Sequence, residues 1–182
     1  MRIVHEIKHA RELMNQGEVI AYPTEAVFGL GCDPFNETAV AQLLRLKNRE
    51  SSKGFILLIS SWEQLSELTA PIPDLAMRKV QETWPGPVTW IFPRAESIPD
   101  WITGERDTLA IRMSAHPVAK ALSFAGPLIS TSANLSGQDP AKSVEQLAQQ
   151  FPEGIAGIVS GELGHEPSPT KIYEVLTGKR LR

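Results

Sequence analysis

Cysteine is almost absent from this chain: Cys32 stands alone among 182 residues. An intramolecular disulfide and a cysteine-cluster metal site are therefore excluded. A reducing cytoplasm is the expected compartment, with Cys32 read as a small core residue. No apolar run approaches the ~18–20 residues that span a bilayer, so no membrane role is expected. The opening Met1-Arg2-Ile3-Val4-His5-Glu6 lacks the apolar stretch and the small-residue cleavage site of a signal peptide. The common nucleotide-binding signatures are missing too. There is no G-x-x-x-x-G-K-[ST], and Gly29-Leu30-Gly31 stops before a third glycine in register. Among the histidines His5, His9, His116 and His165, the run His5-Glu6-Ile7-Lys8-His9 matches H-E-x-x-H in its letters alone, and no serine occupies a G-x-S-x-G elbow. An enzyme built on this sequence is expected to work without a protein nucleophile.

What is present reads as one globular domain over residues 1–182. Hydrophobic residues at 42% suffice for a packed core and are too many for a disordered chain. The formal net charge of −3 argues against a protein that coats itself with nucleic acid. Charge is nevertheless uneven: Arg45, Lys47, Arg49 and Lys53 face the single anion Glu50 in that stretch.

Periodicity predicts helices over 5–16, 37–47 and 74–83, with Gly17 ending the first and Asn36 capping the second. Ser61 with Gln64 and Ser143 with Gln146 read as capping boxes, and Pro117 suits a helix first turn. Strands are expected at Val19–Tyr22, Phe55–Ile59, Val88–Phe92, Leu109–Met113, Pro127–Ser130, Ile155–Val159 and Ile172–Val175, with a glycine-containing loop from Pro23 to Phe35. Alternating helices and apolar strands imply an α/β fold, a three-layer domain on a mixed, twisted, largely buried sheet.

Three polar segments stand out. Tyr22 to Gly31 follows a strand, and its glycines permit close backbone approach to a ligand. Lys47-Asn48-Arg49 sits at a helix end, where cations also simply favour the helix C-terminus. Ser130-Thr131-Ser132-Ala133-Asn134-Leu135-Ser136-Gly137 packs five hydroxyl or amide side chains into seven residues. Such a run makes a polar ligand surface or a hydroxyl-capped turn.

In this order, together with Leu109-Ala110-Ile111-Arg112 and Pro167-Ser168, these segments resemble the YrdC family of L-threonylcarbamoyladenylate synthases, in its short bacterial form. The resemblance implies a YrdC-like fold and a nucleotidyltransferase. Such an enzyme joins L-threonine, bicarbonate or CO2, and ATP into threonylcarbamoyl-AMP and pyrophosphate. The product passes to a separate complex that modifies the adenosine beside the tRNA anticodon. A carbamate formed on threonine is itself the nucleophile, which agrees with the absence of a protein one. A triphosphate reaction implies Mg²⁺, while the sequence does not identify the metal or its site.

The resemblance also implies roles. Lys47 and Arg49 contact the ATP phosphates, and with Arg112 they form the catalytic set. Arg112 holds the threonine carboxylate, with Thr24 and Ser168 lining the threonine site and Ser132 at the junction of the substrates. Thr108, Asn134 and Arg182 face the nucleotide; Ser143 is assigned there too, though it reads equally well as a helix cap. Ala26, Phe28, Glu50 and Leu58 depart from residues common in the family, as does Pro167-Ser168-Pro169-Thr170. A non-catalytic module for double-stranded RNA or tRNA is the alternative, which the absence of an aromatic-plus-basic ladder and the negative net charge oppose. A hydrogenase-maturation paralogue that adenylates carbamoyl phosphate is opposed by the lack of zinc-finger cysteines. A related paralogue of unknown activity is opposed by the retention of both K-x-R and S-x-N.

Overall fold

The computed structural model describes residues 2–166 and 170–182. Among them, nine strands form a single mixed sheet: β1 (Ile3–Val4), β2 (Ile20–Pro23), β3 (Phe28–Gly31), β4 (Ile56–Ile59), β5 (Val88–Pro93), β6 (Thr108–Met113), β7 (Leu128–Ser132), β8 (Gly157–Val159) and β9 (Lys171–Glu174). The spatial order is β1-β8-β2-β3-β7-β4-β6-β5-β9. Strands β1, β8 and β2 run parallel, as do β4 with β6 and β5 with β9, while β3 and β7 insert antiparallel at the centre.

Seven helices connect the strands: α1 (Ile7–Asn15), α2 (Glu37–Lys47), α3 (Trp62–Leu68), α4 (Asp74–Gln81), α5 (Asp100–Thr103), α6 (Pro117–Ser123) and α7 (Val144–Gln150). The caps expected from sequence are formed. Asn36 accepts from the Ala39 N–H, Ser61 from Gln64 and Ser143 from Gln146, which satisfies donors that a helix start leaves unpaired. None of these helices is long and apolar enough to cross a membrane.

The two-residue repeat of a strand divides each sequence between two cores. Ile20, Tyr22, Leu58, Leu128 and Val159 pack with α1 and α6 on one face. Ala21, Leu57, Ile59, Ile129 and Ile158 face the other core, shared with α2, α3, α4, α5 and α7. Helices α1 and α6 lie against β1, β2, β4 and β8. Over β6, β5 and β9 that face of the sheet borders a cavity instead. The third layer is thus partial, and its edge positions the candidate site.

The loop expected from Pro23 to Phe35 is partly wrong, because Phe28–Gly31 forms β3, a hairpin partner of β2. Its two glycines hide the strand in the sequence, since glycine has no side chain to show alternation. The short strand β1 and the single-turn helix α5 are also structural additions.

Candidate active site

A cavity of about 810 Å³ opens on the sheet face that α1 and α6 leave uncovered. Its floor consists of alternate residues on adjacent strands. Ile56 and Leu58 of β4 are in register with Ala110 and Arg112 of β6, Ile91 of β5 lies beside Ala110, and Ser130 of β7 lies beside Ile56. The intervening residues Leu57, Ile59, Leu109 and Ile111 are committed to the opposite core. One strand segment therefore supplies both stability and site.

Six cationic side chains, Arg49, Lys53, Arg106, Arg112, Lys142 and Arg182, line this cavity against the carboxylates Glu25, Asp139 and Glu166. The cations are close enough to affect one another. Burial and then Arg106 push the Arg49 pKa down, and burial and then Arg112 do the same to Arg182. Such crowding is relieved by an anion. Sequence reasoning missed Arg106 and Lys142, which stand just outside the recognisable segments; Arg106 is further hidden between Glu105 and Asp107.

Lys47 and Arg49 reach one place because the helix ends between them. Asn48 adopts the left-handed conformation, φ 48° and ψ 52°, and the Asn48 and Arg49 amides bond back to the Arg45 and Leu44 carbonyls. This is the six-to-one and five-to-two pattern that closes a helix, with asparagine tolerating the positive φ. The buried Lys47 ammonium donates to the Ser132 and Asn134 carbonyls, the latter at 2.7 Å. Burial, then neighbouring Arg49, lower its pKa to about 8. Arg49 Nη2 donates to the Gly54 carbonyl at 2.9 Å, and its guanidinium lies 5.5 Å from the Phe55 ring centroid. Its Nε is buried without a partner among the described residues. An annex of about 190 Å³ is lined by Lys47, Arg49, Ser132, Asn134, Ser136 and Gly137, sharing Arg49 and Ser132 with the main cavity. Ser132 Oγ donates to Asn134 Oδ1 at 2.5 Å, and Asn134 Nδ2 holds the Leu135 and Gln138 carbonyls.

At the other end, Arg112 Nη2 lies 2.8 Å from Glu25 Oε2. Ser114 donates to Glu25 Oε1 at 2.6 Å and accepts the His116 N–H at 3.1 Å. Burial alone would raise the Glu25 pKa, but Arg112 and Ser114 together hold it below the usual carboxylate range. Arg112 Nε is buried without a partner among the described residues, leaving a strong donor beside the cavity. The sequence did not single out Glu25, since a lone carboxylate in a loop has no motif.

Thr24 lines the cavity and donates to the Val27 carbonyl at 2.7 Å. Thr108 lines it at the exposed start of β6, and Arg182 does so while donating to the Thr170 carbonyl. Ser143 caps α7 and is not among the cavity-lining residues, unlike its neighbours Lys142 and Gln146. Ser168 lies outside the described residues. The structure therefore brings Thr24, Arg49, Thr108, Arg112, Ser132 and Arg182 around one cavity, with Lys47 and Asn134 in its annex.

A family model described as telomere recombination, spanning Sua5, YciO and YrdC, matches residues 12–182. A threonylcarbamoyl-AMP synthase of Coxiella burnetii strain RSA 493 is 53% identical over 178 residues, covering 97% of this chain and 96% of the relative. A Halorhodospira halophila protein of the same name is 47% identical over 178 residues, covering 97% and 93%. The structure of P. abyssi Sua5 complexed with L-threonine matches with a TM-score of 0.87 and 33% identity. That match covers 95% of this chain and 53% of the other, so the chain spans about half the length of that Sua5. E. coli YciO matches with a TM-score of 0.81 and 25% identity, covering 96% and 89%. With the family model extending across almost all of the chain and close relatives aligned nearly end to end, the chain belongs to the Sua5/YciO/YrdC family.

Proposed function

We propose that this protein is an L-threonylcarbamoyladenylate synthase, a nucleotidyltransferase that acts in the cytoplasm as a single domain. It forms threonylcarbamoyl-AMP and pyrophosphate from L-threonine, CO2 or bicarbonate, and ATP. The name shared by these relatives and the family membership support the reaction. The observation that carries the site assignment is one continuous cavity lined by six cations, with an Arg112 edge that has no partner among the described residues.

The threonine amine attacks the carbon of CO2, forming an N–C bond and releasing a proton. One oxygen of the resulting carbamate attacks the α-phosphorus of ATP. The bond from that phosphorus to the bridging oxygen breaks, and pyrophosphate leaves. No side chain is consumed; the protein positions the reactants and stabilises charge. Arg112 takes the threonine carboxylate on its free Nε edge, with Thr24 beside it and Ser168 assigned to the same site. Glu25 is an unsuitable base, because both oxygens are engaged and its pKa is depressed. Lys47 and Arg49 hold the phosphates, since ammonium and guanidinium groups suit phosphate oxygens. Ser132 sits at the junction of the substrates, and Thr108, Asn134 and Arg182 face the nucleotide.

Mg²⁺ would enter with ATP, held by phosphate oxygens and water in the manner usual for this ion. No group of three potential His, Cys, Asp or Glu ligands clusters among the described residues, and the side-chain roles above do not depend on the ion. The product would pass to a tRNA-modifying complex, which requires no tRNA contact by this chain.

Pyrophosphate release from the pure protein with ATP and Mg²⁺ tests the reaction. It is expected to require threonine and bicarbonate together. Equal turnover without an amino acid would refute the assignment.

A further inference from the structure

A part-buried hydrogen bond between Tyr22 and Ser130 has no part in the roles assigned above. Tyr22 on β2 is fully buried, and one strand, β3, separates it from β7 at the edge of the cavity floor. Its ring crosses the intervening β3 over two glycines. A Cβ on Gly29 would lie 3.2 Å from the tyrosine Cζ, and one on Gly31 would lie 3.0 Å from Cε1 and 2.5 Å from the Ile129 carbonyl oxygen. The glycines expected to admit a ligand therefore admit a side chain. The phenol reaches β7, where its hydroxyl donates to Ser130 Oγ at 2.7 Å.

A serine hydroxyl has one proton to donate. Because Ser130 accepts from Tyr22, its own proton is free for another partner. Ser130 is half-buried and lines the cavity, and its Oγ makes no second hydrogen bond among the described residues. Its place on the floor is set by register. Ser130 lies beside Ile56, whereas Leu128 and Arg112 both lie beside Leu58, one floor position away. Ser132 is one position away in the opposite direction along β7. Ser130 thus stands between the arginine assigned to the threonine carboxylate and the serine assigned to the junction with the phosphates. The part of the substrate that spans this interval is the new carbamate.

We propose that Ser130 forms the subsite for CO2 or bicarbonate, donating a hydrogen bond to the carbamate oxygen that does not attack phosphorus. Tyr22 is its positioning residue, fixing the hydroxyl rotor so that the proton faces the cavity. Ser130 keeps that proton throughout: the N–C bond forms on the amine, the released proton leaves to solvent, and the second carbamate oxygen forms the bond to phosphorus. This assignment rests on the threonylcarbamoyl-AMP reaction.

The test is steady-state pyrophosphate release by the full chain in CO2-depleted buffer. Bicarbonate is varied at saturating threonine and ATP, and L-threonine and ATP binding are measured separately by calorimetry. Ser130→Ala is expected to raise KM for bicarbonate about ten- to a hundred-fold, the range for a lost hydrogen bond to a charged group, and Tyr22→Phe about three- to tenfold, the range for a lost neutral one. Threonine and ATP affinities should stay within about threefold, and Ser130→Thr should retain most of the wild-type bicarbonate dependence. Tyr22→Phe preserves the ring across β3, so it carries the test even if Ser130→Ala fails to fold. An unchanged bicarbonate KM in folded Tyr22→Phe or Ser130→Ala would overturn the assignment. So would a matching loss of threonine affinity, which would place Ser130 in the amino-acid site. Failure of the reaction itself is distinguishable, because the unsubstituted protein would then release pyrophosphate without needing threonine and bicarbonate.

Discussion

Among the described residues, Glu25 grips Arg112 through one guanidinium nitrogen only, at 2.8 Å, and the adjacent Nε–H has no partner. The pair is nearly closed off from solvent, with side chains 11% and 8% exposed. Glu25 therefore orients the arginine without exhausting its donors. This relationship makes Arg112 a suitable holder for a second carboxylate and gives its substitution a specific signature.

Arg112→Ala is expected to lower kcat/KM for threonine roughly 30- to 1000-fold, or ~2–4 kcal/mol for one charge-assisted pair. Arg112→Lys should rescue little, because an ammonium cannot reproduce the planar fork. ATP binding without threonine should change far less. Calorimetry of both variants with each ligand separately checks this; collapse of ATP binding with intact threonine binding would move Arg112 to the nucleotide site.

Glu25→Gln should destabilise the fold at neutral pH by ~2–4 kcal/mol, since it leaves a buried guanidinium with a weaker partner. The sign of the pH dependence follows from the depressed Glu25 pKa. The ion pair's contribution is present above the ordinary carboxylate pKa and is lost as pH falls through the lower folded value. Wild type and Glu25→Gln should therefore converge in stability on acidification. Urea melts from pH 7 down to the acid transition measure this, and a constant gap would count against it.

Lys47→Met and Arg49→Ala should each remove most ATP-dependent activity while shifting the Tm at pH 7 by only a few degrees, about 1 kcal/mol. Removing either eases crowding among cations, which offsets the lost carbonyl contacts. Lys47 has a folded pKa near 8 against an ordinary value of 10.5. The unfolded chain thus binds more protons between these values, and stability due to this residue rises with pH across that window. ATP affinity should move the opposite way, falling as pH rises through about 8 while the ammonium loses its charge. Titration calorimetry across that range should show the fall in wild type and its absence in Lys47→Met.

Asn48 tests the turn that aims both cations. Asn48→Gly should be tolerated, since glycine accepts positive φ without penalty. Asn48→Val should cost ~1–2 kcal/mol and lower kcat/KM for ATP, although no charge is removed. Equal ATP kinetics in the two variants would show that Lys47 and Arg49 are positioned by something other than this turn.

The sequence revealed those parts of the molecule whose physics is local. Asn36, Ser61 and Ser143 announce helix starts because each cap bonds an amide three residues away. Leu57 and Ile59 read as strand residues because the segment around them is continuously apolar. Phe28–Gly31 escaped because its glycines resemble a loop, while the reason for them, the Tyr22 ring, comes from another strand. Glu25 and Ser114 are 89 positions apart and meet only once β6 is folded. Arg106 likewise joins Arg49 through tertiary structure. The motifs thus expose many of the residues that line the cavity and its annex, whereas the groups that orient them depend on contacts across strands.

The alternation along β4 and β6 separates two kinds of change within a few residues of chain. Leu57, Ile59, Leu109 and Ile111 belong to the core beneath the sheet, while Ile56, Leu58, Ala110 and Arg112 meet the cavity. Substitutions on the cavity side can alter the size and chemistry of an accepted substrate without opening a hole in that core. Drift in substrate preference is consequently available at Ile56 and Ala110 with less risk to folding than at Leu58, which also packs with α1 and α6, or Arg112, which is paired with Glu25, and the same sheet can serve different small molecules while its reverse side stays constant.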